Sequence, residues 1–340
     1  MFEMITQSKI KQAGNAISDF FGLIYDFIIS FFDLIFGTFQ RLLGIRSMPY
    51  LFVLPNLLIF GIFILFPMLM NFVYAFTGGA SFLPSDRPWA GITNFDRLLT
   101  CTNYLEPRTC TEDLFWRAVY NTLGYVIFQV VFMILFALIT ALILNRKIKA
   151  RGFFRGVFFY PVLLSPIVVA LIWKWILQDN GLLNGVLISL GHEKIPFLFD
   201  AKLARIWVIF ISVWANMGFY TLILLAGLQA IPADLYEAAS IDGANPWYSF
   251  SKITLPLLMP TMTVVLVLSL IRAVQVFDIV FAFTGGGPGT ATLYLVQYIY
   301  NYGFSSPDKQ FGLAAAASLL MAGVLIILTI VQLMLRREEN

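Results

Sequence analysis

Residues 126–144, VIFQVVFMILFALITALIL, are apolar almost without interruption. A helix needs about 20 predominantly apolar residues to cross the hydrocarbon core of a bilayer. The apolar residues of this run cover every face instead of alternating, as they would in a strand of a membrane barrel. The stretch therefore predicts a membrane-spanning α-helix.

The composition of the chain extends this prediction to most of its length. Hydrophobic residues make up 59% of the sequence and charged residues only 12%. Such a chain predicts an integral membrane protein. Six stretches are long and apolar enough to cross a bilayer, so we expect an all-α membrane protein with six transmembrane helices, at about 49–76, 118–145, 156–177, 206–230, 257–283 and 311–335.

The loop at 145–155, NRKIKARGFFR, decides the orientation. It carries five basic residues next to predicted spans, and such loops stay in the cytoplasm. With six spans, both termini are then expected to be cytoplasmic, with residues 336–340 as a short tail. The first long apolar stretch lacks the short core and small-residue cleavage site of a secretory signal, so we expect none.

Residues 1–48 precede the first span and contain a Phe-rich stretch with one narrow polar stripe. Asp19, Asp26 and Asp33 lie on this stripe, and each would cost roughly 2.5–3.5 kcal/mol near the middle of a span. We therefore predict an amphipathic helix lying in the cytoplasmic interface with its stripe toward water. The alternative is an acidic stripe packed against a partner subunit.

The residues needed for enzymatic or metal chemistry are scarce. The chain has two cysteines and one histidine, His192, too few for a closed zinc-type site. No phosphate-binding GxxxxGK[ST] loop occurs, and TGGGPGT at 284–290 is interpreted as a chain reversal. The basic residues form no stripe with interleaved aromatics, which argues against nucleic-acid binding. We expect no enzymatic activity, and no metal or cofactor bound by this chain.

The two cysteines, Cys101 and Cys110, both lie in the first outside loop, CTNYLEPRTC. An oxidising compartment would let them form a disulfide across this short loop. The alternative is a pair of free thiols.

Polar residues near the outer end of the fifth predicted span are candidates for function, because ionisable groups are costly there. Arg272, Gln275 and Asp278 are spaced by three and are predicted to share one helical face, which Ser269 extends inward. This face either packs on another polar helix or lines a solute path. Lys174, near the end of the third span, is expected only to snorkel to the interface.

The segment DLYEAASIDGANPWYSFSKITLP, residues 234–256, is a polar interruption between two apolar runs. Asp234 and Glu237 have the N-cap and N3 spacing of a capping box, and Gly243 is placed like a C′ glycine. Asn245 and Pro246 have the N-cap and N1 pattern of a second short helix. This helix would continue until Pro256, where the next span begins. The apolar residues of this loop indicate that a partner covers it. The alternative is an ordinary loop between two spans, in which Glu237 only caps its own helix.

This segment resembles the EAA motif of binding-protein-dependent ABC importers. The pattern is met by Glu237, Ala238, Ala239, Gly243, Ile253, Leu255 and Pro256. Further stretches are similar to the sugar-transporting branch of that family and extend the resemblance over about 85–335: WAGITNFDRLL, FWRAVYNTL, WKWILQDNGLLN, GFYTLILLAGLQAIP and FDIVFAFTGGGPGTATLYLVQYIYNYGF. The N-terminal Phe-rich helix is not part of this resemblance, because the shorter members of the family begin at the first span.

The resemblance implies the type I ABC importer permease fold, with residues 49–335 as the permease domain and 231–256 as its coupling loop. It also implies a bacterial inner-membrane protein that works with a second permease, an extracytoplasmic solute-binding protein and two cytoplasmic ATPases, which bind ATP and Mg. The coupling contacts would come from Glu237, Ala238, Ala239, Asp242 and Gly243.

The resemblance further implies that the solute is a sugar or sugar-like molecule. Its pocket would lie on the spans flanking the coupling loop, with the candidates Asn216, Tyr220, Ser269, Arg272 and Gln275. The alternative is a secondary transporter that needs no ATPase, which would predict inverted repeats.

Overall fold

The computed structural model describes residues 44–146 and 148–337, together with 22–23, 25–27, 29–30, 33–34 and 36–41. The chain divides into two compact units, residues 1–70 and 71–340. The described residues form helices and turns without a strand longer than an isolated bridge. In chain order the α-helices are α1 (Met48–Phe60), α2 (Phe66–Ala75), α3 (Thr93–Leu99), α4 (Asp113–Asn145), α5 (Arg151–Phe159), α6 (Pro166–Leu177), α7 (Leu182–Ser189), α8 (Ala201–Gln229), α9 (Ala233–Ile241), α10 (Pro246–Ser249), α11 (Leu255–Val274), α12 (Asp278–Phe283), α13 (Leu295–Tyr300) and α14 (Phe311–Arg337).

Five helices of the described chain are long and apolar enough to cross a membrane. They are Phe52–Ala75, Asp113–Asn145, Ala201–Gln229, Pro246–Val274 and Phe311–Gln332. A bent pair, Arg151–Leu163 with Pro166–Ser189, makes a sixth span if it is counted as one. The predicted all-α, multi-pass membrane fold is confirmed.

The third predicted span, 156–177, is not a straight helix. The two arms of the pair meet at 98°. Pro161 lies in a 3₁₀ turn, and Ser165, just before Pro166, has an extended backbone with ψ of 132°. A residue that precedes proline is disfavoured in the α conformation, so these prolines explain the bend.

The fifth span is displaced toward the N-terminus relative to the predicted 257–283. Its helix runs from Pro246 to Val274 without interruption, because a π-helical segment at Phe250–Thr254 joins α10 to α11. A π turn changes the hydrogen-bond register locally, and here it carries the helix past Pro256. The helix ends at Val274, so Asp278 starts a separate helix, α12, and the prediction that it shares a face with Arg272 is wrong.

In the first unit, the described positions between 22 and 41 are helical and mostly exposed. Asp26 and Asp33 are among the exposed residues, and Asp19 lies outside the described residues. Phe36 stacks on Phe52 of α1 with ring centroids 4.8 Å apart. The interfacial location of this helix stays a prediction.

The centre of the second unit is the packing of α4 against α8, with α11 against both. Two glycines of α8 permit close approach of its neighbours. A side chain at Gly218 would collide with the carbonyl oxygen of Phe158, and one at Gly227 would come within 2.7 Å of the Thr261 hydroxyl. Helix α8 is therefore held between the α5 arm and α11.

Candidate functional site

The coupling loop begins with α9, whose first turn differs from the prediction. The helix starts at Ala233, and Pro232 occupies the N-cap position without a side-chain cap. Asp234 therefore lies inside the first turn, so the predicted capping box of Asp234 and Glu237 is wrong. Both carboxylates are exposed, and a carboxylate in the first turn still interacts favourably with the helix dipole.

The elbow between α9 and α10 is built on Gly243. Its φ of +75° is left-handed. The Gly243 amide donates to the Ser240 carbonyl at 3.2 Å and the Ala244 amide to the Ala239 carbonyl at 2.9 Å. These two bonds form a Schellman motif, so the prediction of Gly243 as a C′ glycine is confirmed.

The second half of the loop is fixed to the fifth span. The Asn245 side chain accepts a hydrogen bond from the Tyr248 amide at 2.8 Å and caps α10, with Pro246 at the first helical position. The Tyr236 and Thr254 hydroxyls lie 2.9 Å apart and tie α9 to the same helix. Both contacts connect the coupling loop to the helix of the fifth span.

The outer surface of this loop is apolar and acidic. Ile241 is 87% exposed and Trp247 73% exposed. Glu237, Ala238 and Asp242 are exposed beside them, whereas Ala239 is half-buried. Protruding apolar side chains on a rigid elbow form a surface that a partner protein can cover.

The five candidate residues of the solute path differ in their burial. Tyr220 and Ser269 are buried within the chain, at 1% and 0% exposure, and the Ser269 hydroxyl donates to the Leu266 carbonyl. Asn216 is half-buried, and its amide donates to the Ser212 carbonyl at 2.9 Å. Arg272 and Gln275 are exposed at the end of α11.

Arg272 lies over the ring of Phe219 on α8, with 5.6 Å between the guanidinium carbon and the ring centroid. This cation–π contact joins the end of α11 to the C-terminal half of α8. Of the candidate set, Asn216, Arg272 and Gln275 keep side chains that are not fully buried in this chain.

A cavity of about 840 Å³ lies elsewhere, mainly between α4 and α8. Its walls are largely aromatic, and Tyr120, Asn121, Lys202 and Arg205 supply its polar groups. The sequence interpretation missed it, although Phe128, Phe132 and Phe136 recur at the four-residue spacing of one helical face. The aromatic wall is completed by Phe210, Trp214 and Tyr294.

The loop between the first and second spans is tied to the chain before the last span. The Glu112 side chain is buried and forms an ion pair with Arg97, and the Tyr298 and Tyr302 hydroxyls donate to it at 3.4 Å. Burial, followed by the charge of Glu112, raises the pKa of both tyrosines. Both hydroxyls therefore remain protonated donors to the carboxylate.

The same loop is closed by a disulfide between Cys101 and Cys110. Arg87 anchors its start: the guanidinium donates to the Thr77 hydroxyl and the Ser81 carbonyl, both at 2.8 Å. Burial lowers the pKa of Arg87. These contacts give the outer loop a defined shape against the bundle.

A bundle of membrane-crossing helices that carries a rigid, exposed elbow with the EAA pattern defines a permease subunit of an ABC importer. Residues 133–339 match the binding-protein-dependent transport system inner membrane components, and the chain belongs to that family. It is therefore the permease of a binding-protein-dependent importer and not a secondary transporter.

Relatives match most of the chain. The trehalose/maltose transport system permease protein MalF of Thermococcus litoralis is 36% identical over 292 residues, 86% of this chain and 94% of the relative. The multiple sugar-binding transport system permease protein MsmF of Streptococcus mutans is 33% identical over 302 residues, 88% of this chain and 99% of the relative.

Among solved structures, a chain of a bacterial ABC transporter involved in the import of the acidic polysaccharide alginate is 25% identical. Its TM-score is 0.71, and the match covers 89% of this chain and 98% of that one. A second structure, the alginate transporter in complex with a periplasmic protein that holds an alginate pentasaccharide, has the same fold with a TM-score of 0.67 at 23% identity.

Proposed function

We propose that the chain imports a sugar or sugar-like solute, such as an oligosaccharide, a glycoside or a polyol derivative, across the bacterial inner membrane. Alternating access of the helical bundle would be driven by ATP hydrolysis on partner subunits. The sugar class is supported by the names of the relatives, which include trehalose/maltose and multiple-sugar permeases. The rigid, exposed coupling loop is the observation that carries the ATP-driven mechanism.

In this mechanism the elbow of α9 and α10 sits in a groove of a cytoplasmic ATPase. Ala238 and Ala239 let the ATPase backbone approach closely, and Glu237 and Asp242 offer carboxylates to its polar groups. Gly243 supplies the left-handed turn that sets the angle of the elbow. ATP and Mg belong to the two ATPases, and this chain performs no hydrolysis itself.

The remaining partners are a second homologous permease and an extracytoplasmic solute-binding protein that delivers solute from outside. The basic loop at 145–155 and the coupling loop lie on the same side of the bundle, because Arg151 and Arg155 both reach Gln229 at the end of α8. Basic loops stay in the cytoplasm. This supports a cytoplasmic coupling loop, with both termini on that side.

For the solute path we propose Asn216, Arg272 and Gln275 as polar contacts, with Tyr220 and Ser269 supporting them from within the bundle. Aromatic ring faces suit the apolar faces of sugar rings. The cavity between α4 and α8 offers such faces and becomes a second candidate for the path.

The test is uptake of labelled sugars by proteoliposomes that contain the permeases, the ATPases and the binding protein. We expect uptake that requires both ATP inside and binding protein outside. Uptake by the permeases alone, driven by an ion gradient, would refute the mechanism, and active uptake of a non-sugar solute only would refute the substrate class.

A further inference from the structure

The connection between α4 and α8 contains a short basic helix, and the described residues supply no counter-ion to its charges. Arg146 and Lys149 are exposed in the turn that follows α4, and Arg151 and Arg155 lie one helical turn apart on α5. Ala150 makes the sharp corner with φ of +58°, the one positive φ of a non-glycine in the described chain. None of these four side chains forms an ion pair within the described chain.

Two of the four cations are held side by side. With its amide oxygen turned toward them, Gln229 accepts hydrogen bonds of 2.9 Å from Nη2 of Arg151 and from Nη2 of Arg155. The Nε atoms of both arginines are buried without a hydrogen-bond partner. Like charges at this spacing repel each other, and one neutral oxygen does not offset two guanidinium charges. An anion with several oxygens would offset both charges.

The same helix presents aromatic side chains next to the cations. Phe153 is 68% exposed, and Phe154 is exposed as well. The α5 arm meets the following arm at 98°. It starts beside Gln229 at the end of α8 and reaches Gly218 with Phe158, so it follows α8 from the coupling-loop end toward the middle of that helix. Cations at the start of a helix, with exposed phenylalanines beside them, are the pattern of a segment at the membrane interface.

We propose that Lys149, Arg151 and Arg155, with Gln229 as the positioning residue, form a binding site for the phosphate of an anionic phospholipid. The lipid lies in the leaflet on the side of the coupling loop, with its acyl chains against Phe153 and Phe154. Anionic lipid is the occupant that satisfies both features, because it brings a phosphate to the arginines and hydrocarbon to the phenylalanines. A soluble anion or an acidic protein surface would leave the phenylalanines uncovered.

The site adjoins the coupling loop. Gln229 is the last residue of α8, and α9 begins at Ala233. A bound lipid would therefore fix the end of the helix from which the coupling loop departs. The proposal rests on the proposed function only in assigning this leaflet to the cytoplasmic side of the membrane.

The test is a titration of the detergent-solubilised complex with short-chain phosphatidylglycerol, followed by native mass spectrometry. Each basic side chain near an anionic surface contributes about fivefold in affinity. The double variant Arg151→Gln/Arg155→Gln is therefore expected to bind about 25-fold more weakly. If it fails to fold, Lys149→Gln, at an exposed position, is expected to lose about fivefold.

The matched control is Arg108→Gln/Lys309→Gln, which removes the same charge from exposed positions of the outer loops and should bind like the wild type. Equal affinity of the wild type and the α5 variants would overturn the proposal, as would equal affinity for phosphatidylcholine. Displacement of the lipid by inorganic phosphate would indicate a soluble-anion site instead. If the arginine variant loses the ATPase but binds the lipid unchanged, the arginines contact the ATPase and the lipid proposal is wrong. The binding readout needs no ATP hydrolysis, so its failure is distinct from failure of the proposed transport function.

Discussion

Replacement of Gly243 by valine should uncouple the importer without unfolding the permease. The residue has φ of +75°, and nothing lies within 4 Å of a side-chain carbon built there. The substitution therefore adds no steric clash, and its whole effect comes from the backbone conformation. The left-handed conformation costs an L-residue about 1–2 kcal/mol, and more for a β-branched one.

That strain will be relieved at the elbow, because the side chains next to Gly243 are mostly exposed and no atom crowds the residue. An energy of about 1.4 kcal/mol corresponds to a tenfold change in an equilibrium. We therefore expect at least a tenfold loss of solute-stimulated ATP hydrolysis in proteoliposomes for Gly243→Val. Gly243→Ala should be intermediate, and Gly243→Asn should be close to the wild type because asparagine tolerates this conformation.

The matched control is Gly191→Val in an outer loop, where φ is +80° and no atom lies within 4 Å of the added carbon. It carries the same strain just after the end of α7 and should leave solute-stimulated ATP hydrolysis unchanged. Wild-type coupling in Gly243→Val would refute the reasoning. An asparagine variant as inactive as the valine variant would show that the glycine serves close packing and not the turn.

Three further expectations concern other parts of the chain. Glu112→Gln should lower the free energy of unfolding by about 2 kcal/mol, because Arg97 loses the buried end of its ion pair; an unchanged thermal unfolding temperature in detergent would contradict this. Alanine at Asn216 or Arg272 should raise the solute concentration for half-maximal uptake about tenfold while ATP hydrolysis stays coupled, and normal uptake by both variants would place the solute contacts on the partner permease. Deletion of residues 1–46 should leave a coupled six-span core at lower membrane yield, and single cysteines at 26 and 33 in a cysteine-free background should react with maleimide from the cytoplasmic side only; labelling from outside would overturn the interfacial assignment.

The features that the sequence predicted correctly are those set by local chemistry. Long apolar runs predict spans because the bilayer has a fixed thickness. Gly243 and Asn245 were placed correctly because a left-handed C′ residue and an N-cap each need a particular residue type.

The features that were predicted wrongly depend on tertiary packing. The fifth span ends at Val274 with neither glycine nor proline there, where Ala273, Val274, Ile279 and Val280 enter one buried cluster. The sequence also left open which side chains of α8 and α11 are buried, because helical periodicity does not specify the contact face of helices that are apolar all round. The cavity between α4 and α8 was not predicted, for the same reason.

The uninterrupted helix from the elbow to the end of the fifth span works mechanically as a lever. Its 29 residues, at about 1.5 Å per residue, give a length of about 43 Å. A tilt of about 10° imposed at Pro246 then displaces the far end by about 7.5 Å if the near end is the pivot. That far end carries Arg272 and borders the unwound residues Gln275–Phe277. If the elbow docks on an ATPase as proposed, a small rotation of that subunit would be amplified into a displacement as large as a monosaccharide ring at the far end of the helix.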